Sequence, residues 1–368
     1  MKAASLLVIS LLLLVLWAPV AAAADGPLWT HTIGGTGVRS VAISGDGTTV
    51  SAAGEDGLVV LSADGVVQWS SPVRMYDVAL PDGAEPVLAG GFDIQVYDAD
   101  GTEYGGRKVF NVIRSIAVSP DGTTYVASTD GSTVVEGSLT EDTATERETG
   151  EDYFAVSLVP GTEYLAAGTE SGSVILTSRG GGAAFWEYRA SPKAVADIAS
   201  SDGARTIVAC TGDGMVHTLS RTGLLLWSAA VLRPEGVAVS RDGDRIAVCG
   251  AEGFALFDRT GTELVSVSLP AGCTGIALNG DATMAAVTTT SDVSLYALDG
   301  NCVAEGDVIP ATGAGGTAVE VEQTPRASPA TPEPPAGGEA ATPTGQAAPA
   351  ALVAAAGLIG TTPLLRRK

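Results

Sequence analysis

Two carboxylates, Asp77 and Asp197, each stand immediately before a short apolar triplet, Val78-Ala79-Leu80 and Ile198-Ala199-Ser200. Two acids converging on one cavity are what hydrolysis or elimination on a carbohydrate uses: one protonates the leaving oxygen and the other serves as base or nucleophile. The residues that lead into triplets of this kind are Arg39, Tyr76, Arg114, Phe154, Glu235 and Thr274. Mixed charges and aromatic rings around one opening suit a peptide or another polar ligand. The competing reading is a solvated rim closed by internal ion pairs such as Arg39–Asp77, because charge networks also occur in purely structural settings.

Other chemistry finds little support. There are two histidines, His31 and His217, both expected far from any shared cavity, so a histidine-based nucleophile or metal site is not indicated. The cysteines, Cys210, Cys249, Cys273 and Cys302, form no CxxC pair and no zinc-like spacing. Cys210 and Cys249 each close an apolar run, where a small buried side chain is the simplest role. If one disulfide exists, Cys249–Cys273 is the expected pair. Asp98-Ala99-Asp100-Gly101 lacks the distal glutamate of a calcium loop and reads as a turn. Gly180-Gly181-Gly182 has no helix after it to bind an anion. No catalytic residue, metal or cofactor is assigned.

What positions these residues is a repeat. Val41-Ala42-Ile43 returns as Val78-Ala79-Leu80, Ile116-Ala117-Val118, Val156-Ser157-Leu158, Ile198-Ala199-Ser200, Val237-Ala238-Val239 and Ile276-Ala277-Leu278, at intervals of 37, 38, 40, 42, 39 and 39 residues. Within the first copy, Ser40–Ser44, Thr49–Ala53, Leu58–Ser62 and Val66–Ser70 read as strands separated by Asp46-Gly47, Glu55-Asp56-Gly57 and Asp64-Gly65. Asp-Gly punctuation between alternating runs marks hairpins, since glycine accepts positive φ without a Cβ clash. A four-stranded meander cannot cover both of its faces alone, so neighbouring copies must stack on it. A period near forty therefore predicts an all-β, seven-bladed β-propeller of four-stranded antiparallel blades, its innermost strands crowded so that only alanine or serine fits mid-triplet. Leu28–Ile33 resembles a fourth strand and is expected to close the last blade, in competition with residues 302–308.

The ends carry targeting signals. Lys2, the apolar stretch from Leu6 to Trp17 and Ala21–Ala24 read as a secretory signal helix and cleavage region over 1–24. The propeller is expected over 25–309. Residues 310–346 collapse to Ala, Thr, Gly, Pro and Glu, a composition that cannot offset its ordering entropy and reads as a disordered stalk. Residues 347–365 are uncharged and long enough for a single membrane helix, with Arg366-Arg367-Lys368 expected on the cytoplasmic side. Four of the 20 basic residues lie in these termini, so the exported part carries 16 basic and 42 acidic side chains, a net of −26. That excess argues against nucleic acid as a partner and suits a soluble, outward-facing monomer.

The repeats resemble known families. Asp64-Gly65-Val66-Val67-Gln68-Trp69-Ser70 and Thr222-Gly223-Leu224-Leu225-Leu226-Trp227-Ser228 are similar to repeats of quinoprotein-like (PQQ-like) propellers, and strand one with Ser119-Pro120-Asp121-Gly122 is similar to WD40-type repeats. The Gly-His pair of WD40 repeats is absent, and the Trp-Asp slot holds Tyr97-Asp98, Phe257-Asp258 or Leu61-Ser62. No eighth repeat or metal cluster is present for quinoprotein redox chemistry. The order spacer, apolar stretch, basic cluster resembles the sorting tails of archaeal and bacterial surface proteins, which implies a membrane helix or a lipid-exchanged tail. The expected function is a cell-surface binding or scaffolding module for an envelope protein or polysaccharide, with an exported carbohydrate lyase or hydrolase as the alternative.

Overall fold

A computed structural model describes residues 22–23, 26–33, 37–109 and 111–298. The predicted stalk, membrane helix and basic tail lie outside the described residues, as do Cys302 and residues 302–308. So does the signal segment except Ala22–Ala23, which pairs in parallel with Val265 and Ser266. Among the described residues no helix is long and apolar enough to cross a membrane.

Seven antiparallel sheets make up the described chain. Their strands, lettered a to d in order, are Val38–Ile43, Thr49–Gly54, Gly57–Ser62 and Val67–Ser71 in blade 1. Blade 2 is Asp77–Ala79, Val87–Gly90, Asp93–Tyr97 and Glu103–Lys108. Blade 3 is Ile113–Val118, Thr124–Thr129, Thr133–Ser138 and Thr143–Glu148. Blade 4, the most divergent in sequence, still supplies Tyr153–Leu158, Tyr164–Thr169, Ser173–Ser178 and Trp186–Arg189. Blade 5 is Val195–Ser200, Thr206–Thr211, Met215–Ser220 and Leu225–Ala230. Blade 6 is Gly236–Val239, Arg245–Gly250, Gly253–Asp258 and Glu263–Ser268. Blade 7 takes Gly275–Leu278, Met284–Thr288 and Asp292–Ala297 from the end of the propeller sequence and Trp29–Thr32 from its start. Trp29 pairs with Leu295 and Thr32 with Asp292, so the N-terminal strand takes the closing place. Each strand a touches the next, and the seventh touches the first.

The hydrophobic core is divided into seven clusters, each lying between adjacent blades. The triplets explain how. Val41 packs backward with Ala286, Val293 and Leu295 of blade 7, whereas Ala42 packs forward with Val78, Val87 and Ala89 of blade 2. The same alternation places Ile116 behind and Ala117 ahead, and Ile198 behind and Ala199 ahead. Alternate side chains of a strand point to opposite sheet faces. Where blades converge on the axis, the forward face leaves room for a methyl group and the backward face takes a branched side chain. Ser157 replaces the forward methyl in blade 4 and bonds Ser200 of blade 5 at 2.8 Å.

The outer rim is fastened differently. Trp29, Trp69, Trp186 and Trp227 lie on the fourth strands, and each ring covers the glycine of the next blade's last hairpin: Gly65, Gly101, Gly223 and Gly261. All four glycines have positive φ, and a Cβ there would sit within 3 Å of the indole. Three indole N–H groups also donate to a carbonyl two residues before that glycine, at Ala63, Arg221 and Arg259. Among the described residues, the buried Trp69 Nε1 has no hydrogen-bond partner.

Candidate functional site

The seven first strands enclose a cavity of about 430 Å³. Of the residues expected at its mouth, Arg39, Tyr76, Arg114, Phe154 and Glu235 line it, together with Asp77 and Asp197. Thr274 does not; its hydroxyl turns to Thr288 Oγ1 at 3.2 Å and to the Thr289 carbonyl at 3.1 Å.

The mouth is lopsided. Arg39 lies 5.9 Å from the centre of the Tyr76 ring, and Tyr76 meets Phe92 edge-on with centroids 6.0 Å apart. Arg114 lies 4.6 Å from the Phe154 ring centre. Arginine over an aromatic face is an attractive contact that holds the guanidinium plane while leaving its edge free to donate. Glu55 accepts from Arg39 at 2.8 Å and reaches Arg74 at 4.0 Å; Asp130 accepts from Arg114 at 2.6 Å. On the far side Glu235 faces Arg233 at 3.5 Å. The expected Arg39–Asp77 pair does not form, because Arg39 turns outward to Glu55 while Asp77 is held inside the ring. Sequence reasoning missed Phe92, Arg74, Glu55 and Asp130. They sit between strands or blades rather than in the triplet, but the hairpins joining second and third strands open on this same face. Phe92, 59% exposed, is the clearest of them.

The two aspartates are clasps between blades. Asp77 Oδ1 accepts from Ser40 Oγ at 2.5 Å and from Val78 N at 2.9 Å, and Oδ2 accepts from Ile116 N of blade 3 at 2.7 Å. Asp197 accepts from Ile198 N at 2.8 Å and from Val237 N of blade 6 at 2.9 Å. Ser40 and Ser115 do the same more weakly, accepting from Val78 N and Val156 N at 3.3 Å. The position before the triplet reads Ser40, Asp77, Ser115, Ala155, Asp197, Gly236 and Gly275 around the ring. Burial raises the Asp77 carboxyl above the ordinary range despite these bonds. Burial pushes Asp197 up to about 7, with the charge of Asp77 adding to the effect.

At the opposite end of the channel the hairpins are tied to one another. Hairpins after strand a link through backbone bonds, among them Gly280 N to Gly45 O at 2.9 Å, Gly45 N to Pro81 O at 3.2 Å and Arg241 N to Gly280 O at 2.9 Å. Arg241 of blade 6 reaches across to an ion pair with Asp82 of blade 2. The hairpins are themselves rigid: Ser119 Oγ and Thr123 Oγ1 donate to Asp121 at 2.6 and 2.8 Å. Asn279, Asp281 and Thr283 rebuild that turn in blade 7.

Cys249 and Cys273 share the cluster between blades 6 and 7, and they and Cys210 are buried free thiols in this structure. Among the described residues no group of three or more His, Cys, Asp or Glu is placed to hold a metal ion.

Residues 28–61 match the family model described as WD domain, G-beta repeat. No curated protein sequence matches the chain. Among solved structures, the β-propeller domain of Cps50 (Swd1) from Myceliophteria thermophila is similar with a TM-score of 0.63 at 13% identity, over 73% of this chain and 98% of that one. At that identity the likeness concerns fold. With the seven closed blades, these findings support a WD40-type β-propeller.

Proposed function

We propose that the chain is a non-catalytic binding or scaffolding module, exported and tethered to the outer face of the membrane, which seats a carboxylate-bearing peptide or polar envelope ligand at the channel mouth. One observation carries the reading: two arginines, each laid over an aromatic ring, share the mouth of a cavity lined by all seven first strands. Their present partners, Glu55 and Asp130, are solvent-accessible, and exposed ion pairs contribute only about 0–1 kcal/mol. A ligand carboxylate can take their place at little cost and gain the neighbouring rings. In this reading residues 1–24 direct export, and 310–346 hold the propeller away from a membrane reached by 347–365 or by lipid exchanged for it.

The alternative, a carbohydrate lyase or hydrolase, draws on Asp197, whose raised pKa suits a general acid near neutrality. Against it, both oxygens of Asp77 and of Asp197 already accept from backbone N–H groups. The test is a binding screen of the full chain against acidic peptides and envelope polysaccharides, beside Arg114→Ala and Phe154→Ala. Binding that both variants weaken at least tenfold upholds the module. Turnover of a polysaccharide that Asp197→Asn abolishes overturns it in favour of the enzyme.

A further inference from the structure

A second concavity, of about 380 Å³, opens where the last hairpins of blades 5 and 6 meet the hairpin after strand a of blade 5. Arg205, Arg221 and Arg259 line it with Ser220, Thr222, Gly203 and one acid, Asp202. Three guanidiniums against one carboxylate is an inversion of charge in a chain with 42 acidic and 20 basic residues. The three arginines are not equally free. Arg205 is engaged, with Asp244 at 3.0 Å and the Asp242 carbonyl at 2.7 Å. Arg259 is held in place by Nε donating to Thr206 Oγ1 at 3.1 Å and Nη2 to the Arg205 carbonyl at 3.2 Å, which leaves Nη1 unused. Arg221 lies 5.6 Å from the Tyr164 ring centre. Among the described residues the Arg221 guanidinium has no hydrogen-bond partner, and neither Arg221 nor Arg259 has a carboxylate partner. The backbones of both residues are fixed, because Trp186 and Trp227 donate to their carbonyls.

We propose that this cleft binds a tetrahedral oxyanion, phosphate or sulfate, between the Arg221 and Arg259 guanidiniums, with the Ser220–Thr222 hydroxyl pair, bonded to each other at 3.0 Å, supplying one further donor. A guanidinium presents a planar fork of N–H donors that matches oxyanions in bidentate fashion. Here one fork is oriented by its own hydrogen bonds and the other lies over an aromatic face, so little side-chain freedom is lost on binding. Two guanidinium forks and one hydroxyl exceed what a planar carboxylate can use and suit the several oxygens of a tetrahedral anion. The site is distinct from the channel mouth, where each arginine of the lining already has a carboxylate.

Calorimetric titration of the full chain with inorganic phosphate, inorganic sulfate and acetate, at ionic strength held constant with sodium chloride, tests the site. Phosphate and sulfate should bind and acetate should not. Arg221→Gln should weaken binding about tenfold or more, in line with loss of charged hydrogen bonds. Asp202→Asn, which removes the only acid of the lining, should strengthen it. Unchanged near-ultraviolet circular dichroism in both variants shows that the fold is kept. Dextran sulfate identifies the source: Arg221-dependent binding of the polymer points to a sulfated or phosphorylated polymer, and binding of the inorganic ions alone points to a free anion, the site standing in either case. Equal response to acetate, or sulfate binding undiminished in Arg221→Gln, overturns the proposal.

Discussion

The inner and outer rims of the ring solve one problem, fastening a blade to its neighbour, with opposite physics. At the outer rim a large half-buried indole covers a glycine, and the contact recurs at four junctions with little change. At the inner rim small or acidic side chains accept backbone N–H groups, and the residue changes at almost every junction, from Ser40 and Asp77 to Gly236 and Gly275. The outer joint is hydrophobic and steric, so it tolerates solvent and shows no dependence on pH. The inner joint is polar and buried, so its strength depends on the protonation of individual groups. A fastening that varies from blade to blade around the axis leaves room for a lopsided mouth; one repeated at four of the seven junctions on the outside helps keep the ring together.

The largest effect that would sharpen this contrast is at the outer rim. Trp227→Ala should destabilise the domain by about 3 kcal/mol, the lower end for loss of a packed aromatic, with no change in pH profile. Chemical denaturation at two pH values measures both. Next comes Asp197. Its folded pKa lies near 7 while an unfolded aspartate titrates near 4, so the folded state retains a proton that the unfolded state loses between these values. This group's contribution is full below about pH 4 and falls as pH rises toward 7, by an amount on the order of a few kcal/mol. Asp197→Asn should reduce that slope, leaving the part that Asp77, also raised by burial, contributes. His217, whose pKa burial lowers, acts with opposite sign over part of the range, so the wild-type minus variant difference is the readout. An unchanged slope in the variant would mean that Asp197 is not the pH-sensitive group of the inner joint.

A smaller effect is expected at the hairpins. Bonds from Ser119 and then Thr123 hold the Asp121 carboxyl below the ordinary range, so its contribution is present above the unfolded pKa and disappears as pH falls through the folded value. Asp121→Ala should cost about 1 kcal/mol at neutral pH, measured by thermal unfolding. The smallest belongs to Arg241. It and Asp82 each expose 40% of the side chain, and exposed pairs contribute about 0–1 kcal/mol. Arg241→Ala should barely alter stability, which thermal unfolding of the variant beside the wild type checks.

Much of this was legible along the chain because it is local and repeated. Asp-Gly hairpins depend on one backbone conformation, and the triplet depends on how closely two sheets approach, so each recurs in sequence as it does in space. The aspartates were identified as inner residues from their place before the triplet. Their task was not, since whether a carboxyl is catalytic or a clasp depends on which N–H groups of the next blade reach it. Arg39 shows the same limit: its partner, Glu55, comes from a hairpin that the triplet pattern does not register.

Local geometry and periodicity in the 368 residues thus determined an all-β ring of seven four-stranded blades, closed by a strand from one end. Only the tertiary structure decided that Trp29–Thr32 is that strand, that Cys249 and Cys273 share the cluster between blades 6 and 7, that Arg241 of blade 6 pairs with Asp82 of blade 2, and that three arginines from two blades share one cleft. The reason is distance along the chain: repeats are written by neighbours a few residues apart, whereas these contacts join side chains that come together only when the ring closes.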